Sequence, residues 1–160
     1  AYLGDVGESV TGDKKAEHFE DAYLDELFVE LGRTGYKAVA YMPPRNSRTQ
    51  LQRIRRLCSQ HGFMEISGVD INSSRQGFNC PELLEPDFMH LVDTSWALIA
   101  HEKLASINPD FALFSDRNPL SSLTMEERLV HYAAAGKALN RLHPMESAYA
   151  VGKKLLQGEF

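Results

Sequence analysis

The chain has 160 residues, of which 43% are hydrophobic and 24% are charged, and its formal net charge is -5. This composition is typical of one folded domain with its own hydrophobic core, and it argues against a disordered chain. The acidic balance argues against nucleic acid as the main partner. No apolar run approaches the ~20 residues that a membrane-spanning helix needs, so we expect no membrane partner.

Three β-rich segments alternate with two helical patterns in the first half of the chain. The predicted strands cover residues 1–3, 36–42 and 63–69. The predicted helices cover residues 16–31 and 48–60, where apolar side chains recur at three- and four-residue steps, and Asn46 or Ser47 is expected to cap the second helix. This alternation predicts an α/β fold with βαβαβ units and a parallel sheet over residues 1–80.

The second half of the chain shows only helical patterns. Helices are predicted over residues 87–106, 124–142 and 146–156, with Thr124 and Glu127 forming a capping box and Pro144 ending the middle helix. We therefore expect a single domain over residues 1–160, in which a helical C-terminal region over residues 81–160 follows the βαβαβ portion. An interaction module built on these helices is one hypothesis for their function.

Three titratable side chains lie on the predicted helix over residues 87–106. They are His90, Asp93 and His101. A histidine and an aspartate three residues apart on a helix can chelate a metal, but histidines on a buried helix more often pack or form hydrogen bonds. Packing or hydrogen bonding is therefore the favoured role of these three residues.

The two cysteines, Cys58 and Cys80, form no CxxC pair and have no histidine cluster beside them. This pattern argues against a zinc knuckle or a disulfide framework and favours reduced thiols in a cytoplasmic protein. The sequence does not begin with Met, and its first residues resemble a strand already under way. We therefore expect it to be a C-terminal fragment of a longer protein.

Polar side chains follow each of the three predicted strands. They are Asp5 after the first strand, Arg45 and Asn46 after the second, and Asp70, Asn72 and Arg75 after the third. Because the carboxyl ends of parallel strands meet at one edge of a sheet, we expect these side chains to converge there. A polar loop that only caps a strand is the alternative interpretation of residues 70–76.

The residue types at this edge point to a particular chemistry. Carboxylate and amide oxygens bind hard divalent cations, and arginines bind carboxylate or phosphate groups through paired hydrogen bonds. The sequence shows no Gly-x-Ser-x-Gly elbow of the kind used in acyl transfer. Together these residues predict a metal-assisted hydrolase that acts on an anionic substrate.

The stretch Ser67-Gly68-Val69-Asp70-Ile71-Asn72 resembles a strand end of the polymerase and histidinol phosphatase (PHP) domain. That family consists of distorted, TIM-like β/α barrels that hold a multinuclear metal site and often act as phosphoesterases. Its late strand ends in Gly-Ser-Asp-x-His, whose Asp and His bind metal. Asp70 matches this Asp, while Asn72 replaces the His. An earlier strand of the family ends in a metal-binding His, and the stretch Tyr2-Leu3-Gly4-Asp5 puts Asp5 in its place.

The resemblance covers roughly residues 1–80 and implies roles for the residues at the strand ends. Asp5, Asp70 and Asn72 are the expected metal residues, and Arg45, Asn46 and Arg75 are expected to hold a small, phosphorylated substrate. The implied cofactor is a divalent metal such as Mn, Zn, Mg or Fe. The His-x-His motif of the family is not in this sequence, which implies either self-association or pairing with a missing N-terminal half.

The two histidine replacements leave an alternative function open. A degenerate barrel of the same fold is expected to bind an anionic small molecule without catalysis. Arg45, Asn46 and Arg75 would then surround a site that holds no metal.

Overall fold

The computed structural model describes residues 22–68, 74 and 79–160 of the chain. Its helices and strands are α1 (Leu24–Arg33), β1 (Ala38–Tyr41), α2 (Arg48–His61), β2 (Met64–Ser67), α3 (Met89–Ile107), α4 (Met125–Ala138) and α5 (Pro144–Leu156). The described residues therefore form a mixed α/β structure that is mostly helical. The strand predicted over residues 1–3 and the start of the helix predicted over residues 16–31 lie outside them.

Strands β1 and β2 pair in parallel, with Ala38 opposite Met64 and Tyr41 opposite Ser67. Helix α2 connects them, so the predicted strand-helix-strand unit with parallel strands is confirmed for this part of the chain. Within the described ranges the sheet consists of these two strands. Strand β1 ends just before Pro43 and Pro44, which have no N–H to donate to a ladder.

Local sequence explains both ends of α2. The Oγ atom of Ser47 accepts a hydrogen bond from the backbone N–H of Gln50 at 3.2 Å, so Ser47 is the N-cap. At the other end Gly62 has a φ of 68°, a left-handed conformation that glycine adopts without steric cost. The predicted helix is confirmed, and of the two predicted caps the structure selects Ser47.

The chain divides into two compact units, one ending at Leu91 and the other beginning at Val92. In the first unit, α1 and α2 pack their apolar faces together with the sheet. The core side chains described there are Leu24, Phe28, Leu31, Val39, Tyr41, Leu51, Ile54, Leu57, Cys58, Phe63, Phe88 and Leu91. This core positions the carboxyl ends of β1 and β2.

The second unit contains most of α3 together with α4 and α5. The predicted capping box is confirmed: Thr124 accepts from the N–H of Glu127, and the Glu127 carboxylate accepts from the N–H of Thr124. Helix α4 ends at Ala138, earlier than predicted, because Leu139 takes up extended backbone. Pro144 occupies the first turn of α5, where its missing N–H has no helical partner to lose. Among the described helices, none is both long and apolar enough to cross a bilayer.

Candidate functional site

Two of the predicted site residues lie at the carboxyl edge of the sheet. Strand β1 runs into a 3-10 turn over Pro43–Arg45, and Asn46 follows it. Both Arg45 and Asn46 are only 9% exposed, and Asn46 Nδ2 donates to Gln50 Oε1 at 2.7 Å. These side chains are therefore part of the packed structure at this edge and do not lie on an open loop.

The other predicted site residues, Asp5, Asp70, Asn72 and Arg75, lie outside the described residues. The structure does describe how the chain approaches them. The N–H of Gly68 donates to the carbonyl oxygen of Tyr41 at 3.4 Å, just beyond the last residue of β2. The chain thus leaves β1 and β2 at the same edge of the sheet, while the convergence of these four side chains there stays a prediction.

A cluster of three polar side chains lies close to this edge, and we call it the Glu65 cluster: Tyr41, Glu65 and His90. The hydroxyl of Tyr41 donates to Glu65 Oε2 at 2.6 Å. The Nε2 atom of His90 lies 3.3 Å from the same carboxylate oxygen and 3.5 Å from the Tyr41 oxygen. Burial, and then the Glu65 carboxylate, raise the pKa of Tyr41 far above its usual range, so its hydroxyl stays a neutral donor.

Side-chain alternation along the strands explains how this cluster forms. Glu65 lies opposite Val39, and Tyr41 lies two residues further along β1, so all three project from one face of the sheet. Val39 and Tyr41 belong to the same core as the apolar face of α2, which places α2 over this sheet face. His90 comes from the first turn of α3.

Sequence reasoning missed the role of Glu65, although a signal was present. A single charged residue interrupts the apolar run over residues 63–66, and a carboxylate within a buried strand needs hydrogen-bond partners. The side chain of Glu65 is 13% exposed. No local pattern identifies Tyr41 and His90 as its partners, because they lie far from it along the chain.

A cleft of about 110 Å³ opens beside the Glu65 cluster. Arg48, Leu51 and Arg55 of α2 line one side, and Phe88 and His90 line another. Ligand pockets for drug-sized molecules are roughly 300–1,000 Å³. This cleft is therefore suited to a small ligand and excludes a dinucleotide.

The arginines of α2 differ in their ionic partners. Arg48 pairs with Glu85 at 2.6 Å and with Asp87 at 3.2 Å, and Arg53 pairs with Asp25. Arg55 and Arg56 are exposed, and within the described part of the chain no carboxylate pairs with either of them. Two of the four arginines of α2 therefore form surface ion pairs.

The cysteines do not provide a reactive thiolate. Burial, and then the Glu65 carboxylate, raise the pKa of Cys58 well above its usual range. Burial and the nearby Glu82 raise the pKa of Cys80 to about 11. Because the thiolate is the nucleophile, these raised pKa values disfavour a nucleophilic role for either thiol near neutral pH.

The titratable residues further along α3 each have a protein partner. Asp93 accepts from Lys137 Nζ at 2.6 Å, and His101 Nδ1 accepts from the backbone N–H of Leu113 at 3.0 Å. No group of three or more potential metal ligands occurs among the residues that the structure describes. These contacts favour packing and hydrogen-bonding roles for Asp93 and His101.

Burial of His101 makes the stability of the second unit depend on pH. Burial lowers the pKa of His101, an effect that the Glu102 carboxylate partly opposes. The unfolded chain therefore binds a proton more readily than the folded chain. We expect the contribution of His101 to be fully present above about pH 6.5 and to be lost as the pH falls through the lower, folded-state pKa.

Urea unfolding at several pH values between about 5 and 8 measures this effect. His101→Gln removes the titrating group and keeps an acceptor oxygen, so its free energy of unfolding is expected to fall less at acidic pH than that of the wild type. His143→Gln controls for removing one imidazole from an exposed position of the same unit. Identical pH profiles for the wild type and His101→Gln would contradict the assignment.

Comparisons of the chain with protein-family models, with curated proteins and with solved structures gave no significant match. The fold of the first unit is therefore described from its own geometry alone. It is a parallel strand-helix-strand unit with buried polar side chains directly after β1 at the carboxyl edge. In α/β proteins, ligands bind at this edge.

Proposed function

We propose that this protein is a metal-dependent hydrolase of the PHP type that acts as a phosphoesterase on a small anionic substrate. The parallel register of β1 and β2 is the observation that carries the proposal. It brings the chain out of both strands at one edge, where Arg45 and Asn46 follow β1 and residues 69–78 follow β2. The strand-helix-strand unit is, in this proposal, one segment of a distorted β/α barrel.

The donor atoms of the chain fit a hard divalent cation. Asp5 and Asp70 offer carboxylate oxygens and Asn72 an amide oxygen, which are the ligand types of Mg²⁺ and Mn²⁺. Zn²⁺ and Fe²⁺ are the other candidates, although both bind more readily where histidine is present. When bound, the metal lowers the pKa of a water molecule and generates a nucleophile.

The arginines have a different role in the proposed reaction. Arg45 and Arg75 hold the phosphate group of the substrate through charge-assisted hydrogen bonds and offset its negative charge. Asn46 donates to Gln50, which fixes the start of the segment that follows Arg45. These side chains would thus bind and orient the substrate beside the metal residues.

Asp70 provides the test of this proposal. We expect Asp70→Ala to lower hydrolysis of a generic phosphomonoester by at least about a hundredfold in metal-supplemented buffer, because a lost metal ligand removes the nucleophile. Metal analysis of the purified variant should show a matching loss of bound metal. The control is Asp116→Ala, which removes an exposed aspartate of the second unit.

The proposal fails if the wild type and Asp70→Ala hydrolyse the phosphomonoester at equal rates. It fails equally if the wild type neither binds a divalent metal nor hydrolyses the ester. The unfolding midpoint of each variant separates a loss of the site from a loss of the fold.

The second candidate function is a degenerate barrel that binds an anionic small molecule without catalysis. It is favoured by Asn72, which stands where the resembling family has a metal-binding histidine. In this case phosphate binding would depend on Arg75 and would persist in EDTA. Stoichiometric metal that survives purification would argue against this second function.

A further inference from the structure

We propose that the cleft beside the Glu65 cluster is a separate binding site for a small ligand that carries a carboxylate or phosphate group on an apolar body. The cleft is lined by side chains of β1, α2 and the start of α3, and neither Arg45 nor Asn46 of the proposed hydrolase site lines it. The inference therefore does not rest on the proposed function.

The walls of the cleft provide a place for an apolar body. Leu51 is 5% exposed and Phe88 is 7% exposed, and both line the cleft. An apolar group that lies between them leaves water, and the gain is roughly 25 cal/mol per Å² of buried apolar surface. A polar ligand without such a group would leave these side chains unused.

The cleft is lined by charges of both signs, Arg48 and Arg55 on one hand and Asp87 on the other. Arg48 pairs with two carboxylates, Glu85 and Asp87, while no carboxylate in the described part of the chain pairs with Arg55. The Glu65 carboxylate accepts a hydrogen bond from Tyr41 and lies within hydrogen-bond distance of His90 Nε2. Arg55 thus offers an unused guanidinium, whose planar fork matches a carboxylate or phosphate.

His90 also lines the cleft, and its side chain is 26% exposed. Its Nε2 atom faces Glu65, while its Nδ1 atom is buried without a hydrogen-bond partner among the described residues. The Glu65 carboxylate orients the ring, which therefore presents a fixed surface to the cleft.

The size of the cleft limits the ligand. A cavity needs roughly 10–15 Å³ to hold one water molecule. A cleft of about 110 Å³ therefore holds several waters or one small organic molecule. A single ring that carries one anionic group fits this description. Phenylphosphonate and benzoate are such molecules, and neither can be hydrolysed as a phosphate ester.

A titration of the isotope-labelled chain with each probe, followed by NMR in buffer with EDTA, tests the proposal. We expect a saturable shift of the His90 ring signals with a dissociation constant of about 1 mM or lower. Arg55→Gln should weaken binding at least about tenfold. Arg56→Gln, the neighbouring exposed arginine that does not line the cleft, should change it by less than about twofold.

The two probes separate the possible ligand classes, because tighter binding of phenylphosphonate indicates a phosphate ligand and tighter binding of benzoate a carboxylate. The proposal is overturned if neither probe shifts His90 saturably, or if Arg55→Gln and Arg56→Gln weaken binding equally. EDTA removes metal from the experiment, so its outcome is independent of Asp70. An unchanged amide spectrum of Arg55→Gln shows that the exposed substitution leaves the fold intact.

Discussion

Replacing Gly136 by alanine is expected to lower the free energy of unfolding of the second unit by about 3 kcal/mol. A Cβ atom at this position of α4 would lie 2.1 Å from the backbone oxygen of Trp96 and 2.8 Å from its carbonyl carbon. Both atoms belong to the backbone of α3, so no side chain can rotate away. The two helices must move apart, and the contacts of Tyr132 and Ala133, which are buried on α4, would loosen with them.

Urea unfolding followed by fluorescence measures this effect, because the single tryptophan of the chain, Trp96, lies at the contact itself. The matched control is Gly32→Ala in α1. The nearest atom to a Cβ there is Phe63 Cζ at 3.9 Å, an ordinary contact. Alanine is favoured over glycine in helices by up to about 1 kcal/mol, so this variant should be unchanged or more stable.

A third variant, Gly152→Ala, tests an intermediate case, in which the atoms nearest the new Cβ belong to side chains. At Gly152 a Cβ would lie 3.3 Å from the ring of Phe111 and 3.4 Å from the side chain of Leu104. Side chains can shift by a few tenths of an ångström, so Gly152→Ala should fall between the other two variants. A midpoint of Gly136→Ala equal to that of the wild type would show that α3 and α4 are not in this close contact.

Local sequence signals predicted the elements that depend on short-range interactions. Ser47, one of two candidate N-caps of α2, and the capping box of Thr124 act within a few residues, and both were readable from the sequence. The parallel pairing of β1 and β2 also followed, because a helix between two strands requires a crossover. The ends of helices were less predictable, since Leu139 carries no breaking signal.

The close approach at Gly136 was not predictable in the same way. In the run over residues 133–138 a glycine among alanines reads as a small loss of helix propensity. The steric need for glycine at this position follows only from the structure, in which the backbone of Trp96 lies against it. The candidate site shows the same difference between local and long-range features. Arg45 and Asn46 were identified from the sequence because they follow a strand, whereas the Glu65 cluster brings together residues from three distant segments.

Glu65→Ala is expected to lower the free energy of unfolding of the first unit by about 2 kcal/mol, because a buried donor then loses its acceptor. Tyr41 is 1% exposed, and its hydroxyl contacts the Glu65 carboxylate at 2.6 Å. The other polar atom within 3.5 Å of that hydroxyl among the described residues is His90 Nε2. Glu26→Ala, which removes an exposed carboxylate from the same unit, should change the free energy by less than about 0.5 kcal/mol.

A double-mutant cycle with Tyr41→Phe tests whether the hydrogen bond itself carries this effect. Tyr41→Phe removes the donor and leaves Glu65 with His90, so we expect a cost of about 1 kcal/mol. In the double variant the hydroxyl is absent, so Glu65→Ala no longer leaves a buried donor without an acceptor. The double variant should therefore be about 1–2 kcal/mol more stable than the sum of the two single effects predicts. Strictly additive effects would mean that Glu65 stabilises the unit through His90 or through packing. The cycle therefore separates the two partners that share one carboxylate oxygen.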